Sequence, residues 1–208
     1  MNEEQTVLDF FSREENLSLA LTAAEHLDDL RLKLNNKFWL ALNEQLKLFI
    51  LQSSYDWQCE LTEERNSVGT MVGLHMEPKV PQRNYLLPFI EQQLMGSSYR
   101  IYYGLMWNVA PEPTQLKLPS VMALRNRFNS VGFKDSDSFL AWQWSPWYPR
   151  RRDFLIKLAT QQDALLSEVI NPLQTLLQAF NNDILMANGA LKEAPRSAVV
   201  SLTNLHSK

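Results

Sequence analysis

Leu17, Leu21, Ala24, Leu27, Leu30, Leu34, Phe38, Ala41, Leu42, Leu46 and Phe49 hold to a spacing of three to four, and the first proline of the chain is Pro78. That period places them along one face of a helix, with Glu25, Asp28, Asp29, Arg31 and Lys33 interleaved on the other. The pattern predicts one long helix or two in series. Ser12 followed by Glu15 has capping-box spacing, which predicts a helix start there. A helix of this length outruns a single core, so part of it is expected to form an arm.

The texture then changes. The stretches 55–61, 68–76 and 99–108 carry β-branched and aromatic residues and are separated by turn-forming runs at 63–67 and Gly96-Ser97-Ser98, which predicts antiparallel strands. The stretch 85–94 suits a helix by its apolar spacing and a hairpin strand by its place before the turn; a strand is expected. Pro119 sits where a first helical position would be, and Val121, Leu124, Phe128 and Val131 form a stripe ending near Gly132. Residues 139–144 read as one more strand. A helix resumes near Arg151, and Pro172 after Asn171 marks a kink or a fresh start. Leu173, Leu176, Leu177, Phe180 and Ile184 close the pattern with an amphipathic face.

Helices at both ends around a central, mostly antiparallel sheet define an α+β fold. The expected organisation is a helical segment over 1–52, an α+β domain with closing helices over 53–190, and a tail over 191–208. With 208 residues, 45% of them hydrophobic and 21% charged, the chain can bury a sizeable core. No apolar run approaches the roughly 18 residues that span a bilayer, and the acidic first thirty residues are unlike a secretory signal. One cysteine, Cys59, excludes a disulfide framework and a multi-cysteine zinc site. These features predict a cytoplasmic protein without a membrane partner, and Cys59 itself reads as a buried structural thiol.

Several chemistries drop out on motif grounds. Neither G-x-G-x-x-G, G-x-x-x-x-G-K nor G-x-S-x-G occurs, and His26, His75 and His206 lie in three different zones without metal-binding spacing. The one pointed enzymatic pattern is Glu77-Pro78-Lys79 after a predicted strand, with Asp56 on an earlier one. Two carboxylates holding Mg²⁺ and a lysine facing the phosphate would make a small metal-dependent nuclease. With 9 lysines and 23 acidic residues, about one such spacing is expected by chance, and Pro78 fits a strand end better than a working metal strand.

Charge is distributed unevenly although the net value is only −3. Residues 1–64 hold 13 acidic and 5 basic side chains, whereas 117–157 hold 8 basic and 3 acidic. In the basic stretch Trp142, Trp144, Trp147 and Tyr148 run into Arg150, Arg151 and Arg152, with Arg125, Arg127 and Lys134 close in sequence. Guanidinium groups neutralise phosphates and aromatic faces stack on unpaired bases, so this stretch is the candidate surface for nucleic acid or a protein partner. The alternative for Trp142 and Trp144, two apart on a strand, is that both point into the core. The acidic helices in turn suit a basic partner or the basic face of a second copy, giving a homo-oligomer.

Val7 through Leu17, then Phe38-Trp39 with Leu42 and Leu46, Tyr102-Tyr103-Gly104-Leu105, and Trp147-Tyr148 before the closing helices resemble the C-terminal region of bacterial PD-(D/E)XK-superfamily nuclease-like proteins found near defence systems. In that family the metal-binding acids and lysine lie in an N-terminal half, upstream of a region like this one. The resemblance implies a non-catalytic module for nucleic-acid or partner recognition in bacterial DNA processing or phage defence, with no cofactor. Its alternatives are the Mg²⁺ nuclease built on Asp56, Glu77 and Lys79, and an acidic inhibitor or adaptor of a nucleic-acid-binding protein.

Overall fold

The computed structural model describes residues 3–63, 71–95 and 98–194. Three helices come first: α1 (Glu3–Phe11), α2 (Glu14–Glu25) and α3 (Leu27–Gln52). Strands β1 (Trp57–Leu61), β2 (Val72–Pro78), β3 (Leu86–Met95) and β4 (Ser98–Trp107) follow, then a short 3-10 turn (Gln115–Lys117), α4 (Pro119–Ser130), β5 (Phe139–Trp144), α5 (Arg152–Thr160) and α6 (Gln162–Glu193). The strands form a five-stranded antiparallel sheet in chain order, β1-β2-β3-β4-β5, so the fold is α+β as expected. The stretch 85–94 is indeed a strand. The turn segments 64–67 and 96–97, the first residues 68–70 of the expected strand 68–76, and the tail from 195 lie outside the described residues.

The apolar run from Leu17 to Phe49 is two helices in series, α2 and α3, one of the two arrangements expected: a single non-helical residue, His26 at φ −100° and ψ 8°, separates them without disturbing the spacing. Two other expectations about helices need correction. The Ser12–Glu15 capping box does not form, since the N-cap of α2 is Arg13 and it makes no side-chain cap bond. At the other end, α6 runs through Pro172 instead of starting afresh there, and the break falls earlier, at Gln161. Proline costs a helix interior about 3 kcal/mol, but the buried run Val169, Ile170, Leu173, Leu176 and Leu177 holds the segment helical on both sides of it.

One face of the sheet meets the helices. Cys59, Leu74, Met76, Ile90, Ile101, Tyr103 and Leu105 alternate inward along β1, β2, β3 and β4 and join Phe38, Trp39, Leu42 and Leu46 of α3 and the apolar side of α6 in one core. A few polar pins set the helices on that face. Trp39 Nε1 donates to Gln92 Oε1 at 3.1 Å, Trp57 Nε1 donates to Asn181 Oδ1 at 2.7 Å, and the Cys59 thiol donates to Asn43 Oδ1 at 3.3 Å. Asn188 of α6 is fully engaged: its Oδ1 accepts from Leu86 N–H at 2.7 Å and its Nδ2 donates to Leu86 O at 2.9 Å. The β2–β3 ladder covers only Phe89–Gln92 of β3, so this side-chain amide supplies the backbone partner that β2 does not give Leu86.

The arm expected from the length of the N-terminal run is present. α1 and α2 bury no residue, and Leu8, Phe10, Leu17 and Leu21 stay exposed, whereas α3 is drawn into the core from Asn35 onward.

Candidate functional site

The opposite face of the sheet carries the alternate residues. Phe89 and Glu91 of β3, Arg100, Tyr102 and Gly104 of β4, and Phe139, Trp142 and Trp144 of β5 lie on it by register, and none of them joins the helix-covered core. Trp142 and Trp144 therefore do not point into the core. Both are half-buried on the second face, because Gly104 pairs with Trp142 and Tyr102 with Trp144 while Tyr103 and Leu105 take the inward positions. Gly104 makes this possible: a Cβ there would fall 2.1 Å from Ala141 O and 2.8 Å from Trp142 Cα.

On this face cations and rings form a row. Arg151 lies 3.8 Å over Tyr148, and the other side of the row continues from Tyr148 to Arg100 at 5.4 Å and from Arg100 to Trp144 at 5.3 Å. Trp144 meets Trp142 edge to face at 5.6 Å, and Lys134 lies 5.7 Å over Trp142. Arg150 is not part of it: it lies 4.1 Å over Tyr99, which shares the inward parity of Ile101 and Tyr103 on β4. Each contact is favourable by the ring quadrupole and fixes where a long cationic side chain rests. Arg100 is held further by donating Nε–H to Ser145 O at 2.9 Å. None of Arg100, Lys134 and Arg151 has a carboxylate partner among the described residues, so the row keeps its positive charge.

The rest of the expected basic set is placed differently. Arg125 Nε is 3.7 Å from Asp135 Oδ2, and Arg127 pairs with Asp183 while stacking 4.6 Å over Phe180, so both charges on α4 are locally neutralised. Trp147 is half-buried against the core beside Phe154, with Lys157 5.2 Å over its ring. Arg152 is exposed and lines a cleft with Glu3, Glu4, Val7 and Leu8 of α1. Of the basic and aromatic residues read from sequence as binding residues, the fold thus gathers Lys134, Tyr148 and Arg151 and places Arg150 over inward-facing Tyr99 instead. Arg100, the central link, was missed. The sequence signal for it was alternation: on β4 it shares the parity of Tyr102 and the face of Gln93.

Next to the row lies a buried acid. Glu91 is 4% exposed, accepts a hydrogen bond from the Tyr102 hydroxyl, and faces His75 Nε2 at 2.5 Å. Gly73, its register partner on β2, leaves the room, since a Cβ there would lie 2.3 Å from Glu91 Cγ. Burial and the Glu91 carboxylate together push the Tyr102 phenol well above its ordinary range, so Tyr102 stays a protonated donor. Tyr102 also touches Trp144 at 5.3 Å, which joins the carboxylate cluster to the row.

The nuclease trio is only partly assembled. Lys79 Nζ lies 3.9 Å from Asp56 Oδ1 and donates to Tyr55 O at 3.1 Å, so those two residues meet at the open end of the β1–β2 pair. Glu77 is paired in register with Gln58. Among the described residues no three or more His, Cys, Asp or Glu side chains gather as metal ligands. Cys59 is buried with its thiol pushed up to about 12, first by desolvation, so it is a poor nucleophile.

The fold and this surface define the class: an α+β protein with an antiparallel sheet, helices on one face and a cationic, aromatic second face. The chain matches no family model, no curated protein and no solved structure. Among the described residues no helix is long and apolar enough to cross a membrane.

Proposed function

We propose that this protein is a non-catalytic nucleic-acid-binding module and that the row Arg151–Tyr148–Arg100–Trp144–Trp142–Lys134 is its binding surface. The supporting observation is the row itself: three cations without carboxylate partners among the described residues, fixed on aromatic rings along one side of the sheet, in a chain whose net charge is −3. Phosphates bind where such charges are uncompensated, and the affinity then depends on salt through the counterions released. A nuclease encoded separately, the arrangement implied by the resemblance to PD-(D/E)XK-like proteins of DNA processing and phage defence, would act on the strand held here.

The test is fluorescence anisotropy of labelled DNA titrated from about 50 to 200 mM salt. The expected result is an affinity that falls linearly on a log–log plot, and a further loss in a variant with Arg100, Lys134 and Arg151 changed to Ala. An unchanged affinity in that variant removes the row from the site.

A further inference from the structure

We infer that the ligand of this face is a single strand with unstacked bases rather than a duplex. The inference rests on the nucleic-acid reading above and deepens it. A protein reads duplex DNA by laying a helix or a two-stranded ribbon into the major groove, with free cations flanking it on the phosphates. On α4, the helix that precedes β5, both arginines are paired, with Asp135 and Asp183, and Lys157 of α5 donates to both oxygens of Glu168 at 2.7 and 2.6 Å. Arg100, Lys134 and Arg151, without a carboxylate partner among the described residues, lie on aromatic rings of the outward face instead.

An aromatic ring in a cationic track has a use for bases only when they are unpaired, because a duplex hides their faces in its own stack. Trp142, Trp144 and Tyr148 are each half-buried. The two tryptophans are also held in place by a neighbour on the same face: Tyr102 contacts Trp144 at 5.3 Å and Trp142 at 6.5 Å, and is anchored by the Glu91 carboxylate. A platform fixed in this way loses little side-chain entropy when a base stacks on it. One donor of the face, the indole N–H of Trp142, has no acceptor among the described residues. A shielded donor of this kind costs free energy until an acceptor arrives, and both phosphodiester and pyrimidine oxygens are acceptors.

The experiment compares four labelled probes of about 20 nucleotides at about 50 mM salt: oligothymidylate, oligouridylate, a mixed-sequence duplex, and an abasic strand that keeps the phosphates without bases. Either pyrimidine strand is expected to bind at least about tenfold tighter than the duplex and the abasic strand, with quenching of tryptophan fluorescence. The tighter of the two names the sugar. Trp144→Ala is expected to weaken the pyrimidine strands by about fivefold or more while leaving abasic binding unchanged. Trp144→Leu, which keeps apolar bulk on the strand, is the companion variant, and a thermal melt of each confirms that the fold persists. A duplex or abasic strand bound as tightly as the pyrimidine strands overturns the single-strand inference and leaves the phosphate-binding reading standing. Failure of every probe to bind at the lowest salt overturns both.

Discussion

The two faces of one sheet are built from the same strands and do different work. On the inward face Leu74, Ile90, Ile101 and Leu105 are each at most 1% exposed and pack against helices. On the outward face the neighbours one residue along are Gly73, Glu91, Arg100 and Gly104, and rings and charges take the place of aliphatic side chains. Substitutions inward should therefore cost stability, and those near the rim of the outward face should cost binding. Glu91 is the exception that sharpens the contrast, since it is a buried charge on the open side and should behave as a structural residue.

The largest expected effect is inward. Phe38→Ala removes a ring with 0% exposure that lies 5.2 Å from Trp39 and 5.0 Å from Phe154, and should cost about 3–5 kcal/mol in urea unfolding. A loss below about 1 kcal/mol would mean that α3 is not seated on the sheet. Second, Tyr102→Phe deletes the hydrogen bond to the Glu91 carboxylate and leaves a buried charge with His75 as its remaining partner, so it should cost about 1.5–3 kcal/mol despite lying on the outward face. A neutral result would mean that water reaches the carboxylate.

Third comes an alkaline effect of the inward face. Burial raises the Cys59 thiol from 9.0 to about 12, so its contribution to stability is complete below pH 9 and is lost as the pH rises toward 12. Across that window wild type should lose about 1.4 kcal/mol more per pH unit than Cys59→Ala, read as the difference between two urea series so that the other titrating groups cancel. Parallel curves would show that the thiol is solvated. Fourth, Trp144→Ala should cost about 1–2 kcal/mol, less than a fully buried ring because Trp144 is only half-buried, while weakening single-strand binding. The smallest effect is expected from removing residues 1–25: α1 and α2 bury nothing, so the melting midpoint should move by about 2 °C or less. A large drop would show that the arm is docked.

Much of the architecture was legible because helices and strands write their period directly into the chain. The stripe Val121, Leu124 and Phe128 became the buried side of α4, and the β-rich stretches became the strands in their predicted order. Legibility failed where one local signal had to be weighed against packing. Pro172 looked like an end, yet the buried residues around it carry the helix through, while the actual break at Gln161 has neither proline nor glycine to mark it. The surface was half legible. Lys134, Tyr148 and Arg151 belong to it, whereas Arg150 lies over inward-facing Tyr99, and Arg125 and Arg127 are taken out by Asp135 and by Asp183, the latter 56 residues from Arg127. Trp142 and Trp144 were undecided in sequence because alternation says that they share a face without saying which one.

By itself the sequence determined the class of the fold, the helical and strand segments, the polarity of charge and the absence of nucleotide-loop and hydrolase motifs, all of which depend on neighbours within a few turns or strand residues. Only the tertiary structure decided which face of the sheet the helices cover, that Arg100 joins Tyr148 to Trp144, and that Glu91, His75 and Tyr102 meet across three strands. The physical reason is that a strand's period of two defines two faces that are locally equivalent, and only the long-range packing of α3 and α6 against one of them makes the other a surface.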